Sequence, residues 1–111
     1  MDATNVTVLA LPVFTRWLRK LDDRAAATRI AMRVRRLQMG RFGEVRDIGE
    51  GVFELKVDCG PGYRVYAMRK RDAVVLLLCG GDKGSQKRDV KKAKSLAKQA
   101  RDGGWSYEEP L

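Results

Sequence analysis

ELKVDCGPGYRVYAMRK, residues 54–70, is the stretch that decides the fold predicted from this sequence. Two runs of alternating apolar and polar residues flank a Gly-Pro-Gly turn, a pattern typical of two antiparallel strands joined as a hairpin. The apolar sets of both runs must share the face that covers the core. In the register that achieves this, Lys56 lies opposite Arg64 and Glu54 lies opposite Tyr66 on the solvent-side face.

The polar face of this hairpin has two interpretations. Two like charges directly opposed on a sheet, such as Lys56 and Arg64, are unfavourable unless an anion or a carboxylate is nearby. If Glu54 and Asp58 supply the carboxylates, the face is a solvated, charge-balanced surface. Otherwise it is a concave cationic surface for a phosphodiester, on which Tyr66 stacks a base or transfers a proton. The hairpin residues alone leave both interpretations open.

The first third of the chain predicts one strand and two helices. Residues 6–11 are β-prone and are followed by Pro12, which is tolerated in the first turn of a helix. Apolar residues then recur at helical spacing in two segments, which are separated by Asp22 and Asp23 and end at Gly40. We expect these two helices to form an antiparallel αα-hairpin.

The second half of the chain predicts the rest of the sheet and a third helix. From residue 45 the apolar period falls to about 2, and four segments predict strands: EVRDI, GVFELKVD, YRVYAMRK and AVVLLLCG. AVVLLLCG has no polar face, so it is expected to be the central strand, buried on both sides. Ser85 can cap a final helix that runs from Gln86 to about residue 101.

The expected architecture is a compact, antiparallel-rich α+β sandwich with the helices against one face of the sheet. Its element order is β-α-α-β-β-β-α, with an N-terminal helical hairpin and a C-terminal helix, and the short EVRDI segment adds one more strand. Residues 1–101 are expected to form a single domain. Residues 102–111, DGGWSYEEPL, are glycine-broken and acidic, and we interpret them as a C-terminal appendage.

Composition narrows the classes of partner and the cellular location. The chain has 23 Lys and Arg against 14 Asp and Glu, a net charge of +9, which favours a polyanion, nucleic acid ahead of membrane. Its longest apolar run, residues 73–79, is too short to span a bilayer, and no secretion signal opens the chain, so we expect a cytoplasmic protein. Without histidine, and with two cysteines that lack metal-ligand spacing, we expect reduced thiols, no metal site and no cofactor.

The sequence CGGDKGSQ, which ends at Gln86, also has two interpretations. It lacks the spacing of a nucleotide-binding P-loop, but a helix that starts at Ser85 beside Lys83 can still hold a phosphate. The alternative is simple turn chemistry. The basic residues of the last helix are either a solvated face or a surface that docks on an RNA backbone: Lys87, Arg88, Lys91, Lys92, Lys94 and Lys98. Phe14 and Trp17 are expected in the core rather than at a ligand.

Three motifs in a fixed order make this sequence similar to a known family. They are W-L-x-x-L-x-D, E-L-K-V leading into G-P-G-Y-R-V-Y, and G-G-D-K-x-x-Q followed by a helix. Over roughly residues 14–99 the chain resembles the RelE/ParE superfamily of bacterial toxins, in particular the HigB-like, phage-derived Gp49-like branch of addiction module killer proteins. It departs from that branch at Lys56, where arginine is common, and at Gly84, where serine is usual.

The resemblance implies a RelE-like, microbial-ribonuclease-type fold and the toxin of a type II toxin–antitoxin system. Such a toxin is an mRNA interferase, an endoribonuclease that cleaves mRNA on the ribosome. It is neutralised by an adjacently encoded antitoxin, usually a helix-turn-helix protein. The positions that match the family's functional residues are Lys56, Arg64, Tyr66, Lys83, Gln86 and Asp89.

Metal-free RNA cleavage requires a deprotonated 2′-hydroxyl, a neutralised phosphorane and a protonated 5′-oxygen. Because the chain has no histidine, the base must be a lysine, a tyrosine or a carboxylate. We assign Lys56 or Tyr66 to the proton transfers and Arg64 to the phosphorane charge. Lys83 is assigned a second electrostatic contact, and Asp89 an orienting or proton-accepting role. RNA or ribosome binding is assigned to Gln86, Lys87, Arg88, Lys91 and Lys92.

Two rival functions remain beside the nuclease. ParE-like members of the same superfamily poison DNA gyrase and tend to lack the basic catalytic cluster, so the presence of Lys56, Arg64, Tyr66 and Lys83 favours the nuclease. A non-enzymatic basic module would bind RNA or DNA in a salt-dependent manner without toxicity.

Overall fold

The computed structural model describes residues 5–103 and has the α+β architecture expected from the sequence. Its elements are β1 (Thr7–Ala10), α1 (Pro12–Lys20), α2 (Arg24–Gln38), β2 (Val45–Gly49), β3 (Val52–Val57), β4 (Tyr63–Arg71), β5 (Val74–Asp82) and α3 (Gln86–Arg101). The EVRDI segment forms β2, the strand that the order β-α-α-β-β-β-α omits.

Local sequence signals explain where the helices begin and end. Pro12 occupies the first turn of α1, where a missing backbone donor costs nothing. The Asp23 side chain caps α2 by accepting a hydrogen bond of 3.0 Å from the Ala26 amide. Gly40 follows α2 with a φ of 79°, a left-handed conformation that glycine adopts without strain. A single turn at Lys83–Ser85 leads from β5 into α3.

The sheet has the strand order β1-β5-β4-β3-β2. β1 pairs with β5 in parallel, and the other three pairs are antiparallel. The predicted hairpin register is confirmed, because Lys56 pairs with Arg64 and Glu54 pairs with Tyr66. β5 is buried on both faces as expected, although β4 rather than β5 is the middle strand.

The expectation that all helices cover one face of the sheet is wrong. α1 and α2 pack on the face that carries Leu55 and Val65, whereas α3 packs on the opposite face against Tyr66 and Met68. The physical reason lies in β5, whose consecutive residues Leu76–Leu78 are all fully buried and present apolar side chains to both faces. An apolar face needs a cover, so the sheet requires a helical layer on each side.

Residues 104–111 lie outside the described part of the chain, so most of the appendage expected at 102–111 does too. α3 ends at Arg101, next to the expected domain boundary. Between residues 5 and 103, no helix is both long and apolar enough to cross a membrane. Cys59 and Cys79 are free thiols.

Candidate active site

A groove of about 670 Å³ lies beside the β3–β4 hairpin, where β2, the start of α3 and the end of α2 meet it. It is lined by six basic side chains, Arg33, Arg36, Arg41, Arg46, Lys56 and Arg64. Three carboxylates also line it, those of Glu44, Glu54 and Asp58, together with Gln86. We call this feature the groove. Its excess of cations over carboxylates suits a polyanionic ligand.

A second, smaller hollow of about 420 Å³ adjoins the groove at the hairpin turn, and we call it the hairpin depression. Lys56 and Arg64 line both features, and Lys83 joins them in the depression. The turn brings Lys83 there, because the Lys83 amide donates a 2.9 Å hydrogen bond to the Gly62 carbonyl. The structure therefore brings together three of the residues predicted for catalysis.

Glu54 lies at the wall of the groove and holds several of its side chains. Only 6% of its surface is exposed. Its carboxylate accepts a 2.9 Å hydrogen bond from Gln86 Nε2 and forms ion pairs with Arg46 at 3.5 Å and Arg64 at 3.9 Å. A buried carboxylate needs such partners to offset its lost hydration. From the sequence Glu54 was interpreted only as a counter-charge, although its register opposite Tyr66 already placed it at this position.

Arg64 is the buried cation of the groove. The residue is only 7% exposed, and its Nη1 donates to the Gly62 carbonyl at 3.3 Å. Its Nε is buried and makes no hydrogen bond within residues 5–103. A guanidinium fork presents its donors in one plane and matches the oxygens of a phosphate. The Nε faces the Glu54 carboxylate at 3.9 Å, so an anion in the groove would meet the Nη end of the guanidinium.

Tyr66 does not lie on an open surface, and the prediction of its solvent-side position is wrong. Its side chain is 0% exposed and packs beneath α3 with Val52 and Leu76. Burial, followed by the negative charge of the neighbouring Glu54, raises the pKa of Tyr66 far above its ordinary value. A buried, protonated tyrosine cannot stack on a base or accept a proton at neutral pH.

Asp89 is also buried, and it lines neither the groove nor the hairpin depression. Its carboxylate accepts a short hydrogen bond from the Ser85 hydroxyl at the start of α3. It also packs so closely on Gly81 that a Cβ at that position would overlap the carboxylate. These contacts indicate a structural role for Asp89, which packs α3 against β5.

The basic residues predicted for RNA or ribosome binding separate into two groups. Lys87, Arg88 and Lys91 line a surface hollow of about 860 Å³ together with Gln86 and Arg46, both of which also line the groove. Lys92 instead lines a cleft beside α1. The first group thus extends the basic surface of the groove, and Lys92 does not belong to it.

Four arginines of the groove were not predicted as site residues, namely Arg33, Arg36, Arg41 and Arg46. Arg33 donates to the carbonyls of Phe42 at 2.6 Å and Glu44 at 2.9 Å and so fixes the loop after α2. Burial and the nearby charge of Arg36 lower the pKa of Arg33. The sequence places Arg33 and Arg36 outside the apolar face of α2, but the return of the loop towards β3 is a tertiary feature.

The two cysteines lie apart from any cluster of acidic side chains in the described part of the chain. Within residues 5–103, no three His, Cys, Asp or Glu side chains lie close enough to hold a metal ion together. Burial raises the pKa of the Cys79 thiol to about 12, which keeps it protonated. The chemistry available in the groove is that of carboxylate, ammonium and guanidinium groups.

Comparison with known proteins places the whole site within one family. Residues 16–102 match the phage-derived protein Gp49-like family. An uncharacterized protein of Haemophilus influenzae is 46% identical over 86 residues, which cover 78% of this chain and 87% of that protein. The family match includes the groove, the hairpin depression and α3. The chain therefore belongs to the phage-derived Gp49-like family, a family of RelE/HigB-type toxins.

Proposed function

We propose that this protein is the toxin of a type II toxin–antitoxin system and cleaves mRNA on the ribosome without a metal ion. The observation that carries the proposal is the Arg64–Glu54 pair. A buried guanidinium, with its Nε 3.9 Å from a buried carboxylate, lies at the wall of a basic groove. This pair combines a site for a phosphate with a group that can accept a proton.

The proposed step is attack of a ribose 2′-oxygen on the adjacent phosphorus. The new bond joins the 2′-oxygen to phosphorus, and the bond from phosphorus to the 5′-oxygen breaks, which leaves a 2′,3′-cyclic phosphate and a 5′-hydroxyl. Glu54 accepts the 2′-proton, and Lys56, an exposed cation of both the groove and the hairpin depression, supplies a proton to the 5′-oxygen. Arg64 and Lys83 offset the charge of the phosphorane.

The proposed partners follow from the basic surface and from the family. The ribosome supplies the mRNA in a defined position, which compensates for an acid–base set without histidine. The surface formed by Gln86, Lys87, Arg88 and Lys91 contacts phosphates of the RNA or the ribosome. A helix-turn-helix antitoxin, encoded next to the toxin, neutralises it in the cytoplasm.

The test is controlled expression of the protein, with and without the neighbouring small open reading frame, followed by mapping of mRNA 5′ ends. We expect growth arrest and new 5′ ends within translated codons, both reversed by the neighbouring frame. Arg64→Ala should abolish both effects. The matched control is Arg71→Ala, which removes the same charge from an exposed position at the far end of β4.

The same experiment separates the nuclease from its rivals. Growth arrest with intact mRNA, induction of the SOS response and stalled gyrase would identify a ParE-like gyrase poison. Salt-dependent binding to naked RNA or DNA without toxicity would identify a non-enzymatic module. Full mRNA cleavage by the Arg64→Ala variant would contradict the assignment of Arg64 to the phosphorane charge.

A further inference from the structure

A cleft of about 630 Å³ lies on the other side of the hairpin turn, between α1, the α1–α2 turn and α3. It is lined by Trp17 and Tyr63 and by three cations, Arg16, Lys20 and Lys92. We call it the Trp17 cleft. None of these residues lines the groove or the hairpin depression. The mechanism proposed above does not use any of them.

Trp17 is held rigidly but is not fully covered. Its ring packs on Gly80 so closely that a Cβ there would overlap the indole. The ring centroids of Phe14 and Tyr63 lie 5.8 and 6.4 Å from that of Trp17. Phe14 is fully buried as expected from the sequence, whereas Trp17 is only partly buried and borders the cleft. A fixed aromatic ring at the edge of a cleft is a platform on which a nucleobase can stack.

The charges of the cleft favour an anion. Within residues 5–103, Arg16, Lys20 and Lys92 take part in no ion pair. Two carboxylates, Asp22 and Asp23, also line the cleft. The three cations still outnumber them by one. An aromatic platform surrounded by cations is the usual arrangement for binding single-stranded nucleic acid.

The Trp17 cleft continues the hairpin depression. Gly60 lines the depression, and a Cβ at Gly60 would lie 3.6 Å from the Asp23 carboxylate and 3.8 Å from the Tyr63 ring. Both of those side chains line the cleft. Only the narrow turn of the hairpin therefore separates the two features, and one extended ligand can cross it.

We propose that the Trp17 cleft is a second RNA subsite, which holds a nucleotide that flanks the scissile phosphate. The base of that nucleotide stacks on Trp17, and its phosphates contact Arg16, Lys20 and Lys92. This inference rests on the proposed function for the identity of the ligand. It adds a contact that only an RNA long enough to cross the hairpin turn can make.

The test measures binding of single-stranded RNA of about 3 to about 12 nucleotides at several low salt concentrations. The variant Arg16→Gln/Lys20→Gln should weaken binding of the long RNA and lower its salt slope by about 1.4, or about 0.7 for each phosphate contact. It should leave the shortest RNA unaffected. The matched control Arg29→Gln/Arg71→Gln removes the same charge from exposed positions outside these features and should leave the salt slope unchanged.

Trp17→Phe tests the stacking platform. It keeps an aromatic ring against Gly80, so the fold should persist, which circular dichroism and the unfolding temperature verify. A smaller ring should weaken binding of the long RNA by about 5- to 10-fold and leave the shortest RNA unchanged. In a Trp105→Phe background, Trp17 is the single tryptophan, and its fluorescence should be quenched by the long RNA only.

Native Cys59 reports separately on the hairpin depression. This partly buried thiol lines the depression, so bound RNA should protect it from alkylation, and Arg64→Gln should abolish that protection. If Cys59 is protected but the Trp17, Arg16 and Lys20 variants bind long RNA normally, the subsite is overturned and the proposed function stands. If Arg64→Gln has no effect while these variants weaken binding, the proposed function fails and the subsite stands.

Two further outcomes overturn the subsite. If the cleft variants lose binding to the antitoxin and retain all RNA binding, the cleft is a protein interface. If RNA of every length fails both to protect Cys59 and to quench Trp17, the subsite is overturned together with direct RNA binding at the groove.

Discussion

Two neighbouring regions of one sheet face differ in how they are covered. Around Lys56 and Arg64 the face opens into a groove, whereas at Tyr66 and Met68 it is sealed by α3. The alternation of side chains along β4 places Arg64, Tyr66 and Met68 on this same face. The alternation alone therefore does not show which of these side chains is open to the groove and which is covered. The boundary between the regions falls at Glu54, which pairs with Tyr66 across the strands and binds Arg64 and Gln86.

This difference assigns separate tasks to the two regions. The sealed region is a buried apolar support beside the Glu54–Arg64 pair. The open region receives the anion. Charges act more strongly at the edge of a low-dielectric region than in bulk water, so the seal strengthens the electrostatics of the groove.

The largest effect is expected from Glu54→Gln at the boundary. The substitution keeps the shape of the side chain but removes the proton acceptor and the counter-charge of Arg64, so mRNA cleavage should fall by about 10²- to 10⁴-fold. Cleavage is measured with purified ribosomes and a defined mRNA. The matched control is Glu44→Gln, a more exposed carboxylate of the same groove, which should retain activity to within a few fold. Equal losses in the two variants would contradict a special role for Glu54.

Tyr66 should respond very differently to two substitutions. Tyr66→Ala leaves a cavity beneath α3 and should lower the free energy of unfolding by about 3–5 kcal/mol, as measured by urea denaturation. Tyr66→Phe keeps the packing and removes only a buried hydroxyl beside the Glu54 carboxylate, so stability should change by no more than about 1.5 kcal/mol. Cleavage by Tyr66→Phe should stay within about 2-fold of the wild type. Loss of cleavage in a stable Tyr66→Phe protein would restore Tyr66 as a proton-transfer residue.

The free energy of unfolding should decrease at alkaline pH because of two buried groups in the sealed region, Tyr66 and Cys79. Burial raises the pKa values of Cys79 and Tyr66 in the folded state, so the unfolded state releases these protons at lower pH. Their contribution to stability is complete below the ordinary pKa values and decreases as the pH rises above about 9 for Cys79 and about 10 for Tyr66. Urea midpoints between about pH 8 and 11 should fall less steeply in Tyr66→Phe and in Cys79→Ala. Parallel curves for all three proteins would show that other groups control the alkaline transition.

The smallest effect is a difference in thiol reactivity that leaves the fold intact. Cys59 lines the open hairpin depression, whereas Cys79 is buried beneath α3. Cys59 should therefore react with a thiol reagent in the native protein, and Cys79 should react only after unfolding. Counting modified thiols by mass spectrometry, with and without denaturant, checks this. Equally fast native modification of both thiols would show that the seal opens readily.

Several features of the fold and site were predictable from local sequence. The register of Lys56 with Arg64 follows from alternation, because a slip would expose the apolar face of the hairpin. The glycine-rich turn indicates where Lys83 lies along the chain. The predicted cap at Ser85 is wrong, because its side chain makes no cap hydrogen bond to α3 and instead donates to the Asp89 carboxylate. The sequence did not allow us to predict which parts of a sheet face remain open. A period of 2 shows on which face of the sheet a side chain lies, but it does not show whether a helix covers that side chain.

The sequence by itself therefore determined the elements, the hairpin register and the basic character of the site. Tertiary structure alone decided that α3 covers Tyr66, that Arg33 and Arg41 join the groove, and that Glu54 becomes a buried partner of Arg64. The physical reason is the range of the interactions. Periodicity and capping act between residues a few positions apart, whereas burial and charge pairing depend on segments brought together only by folding.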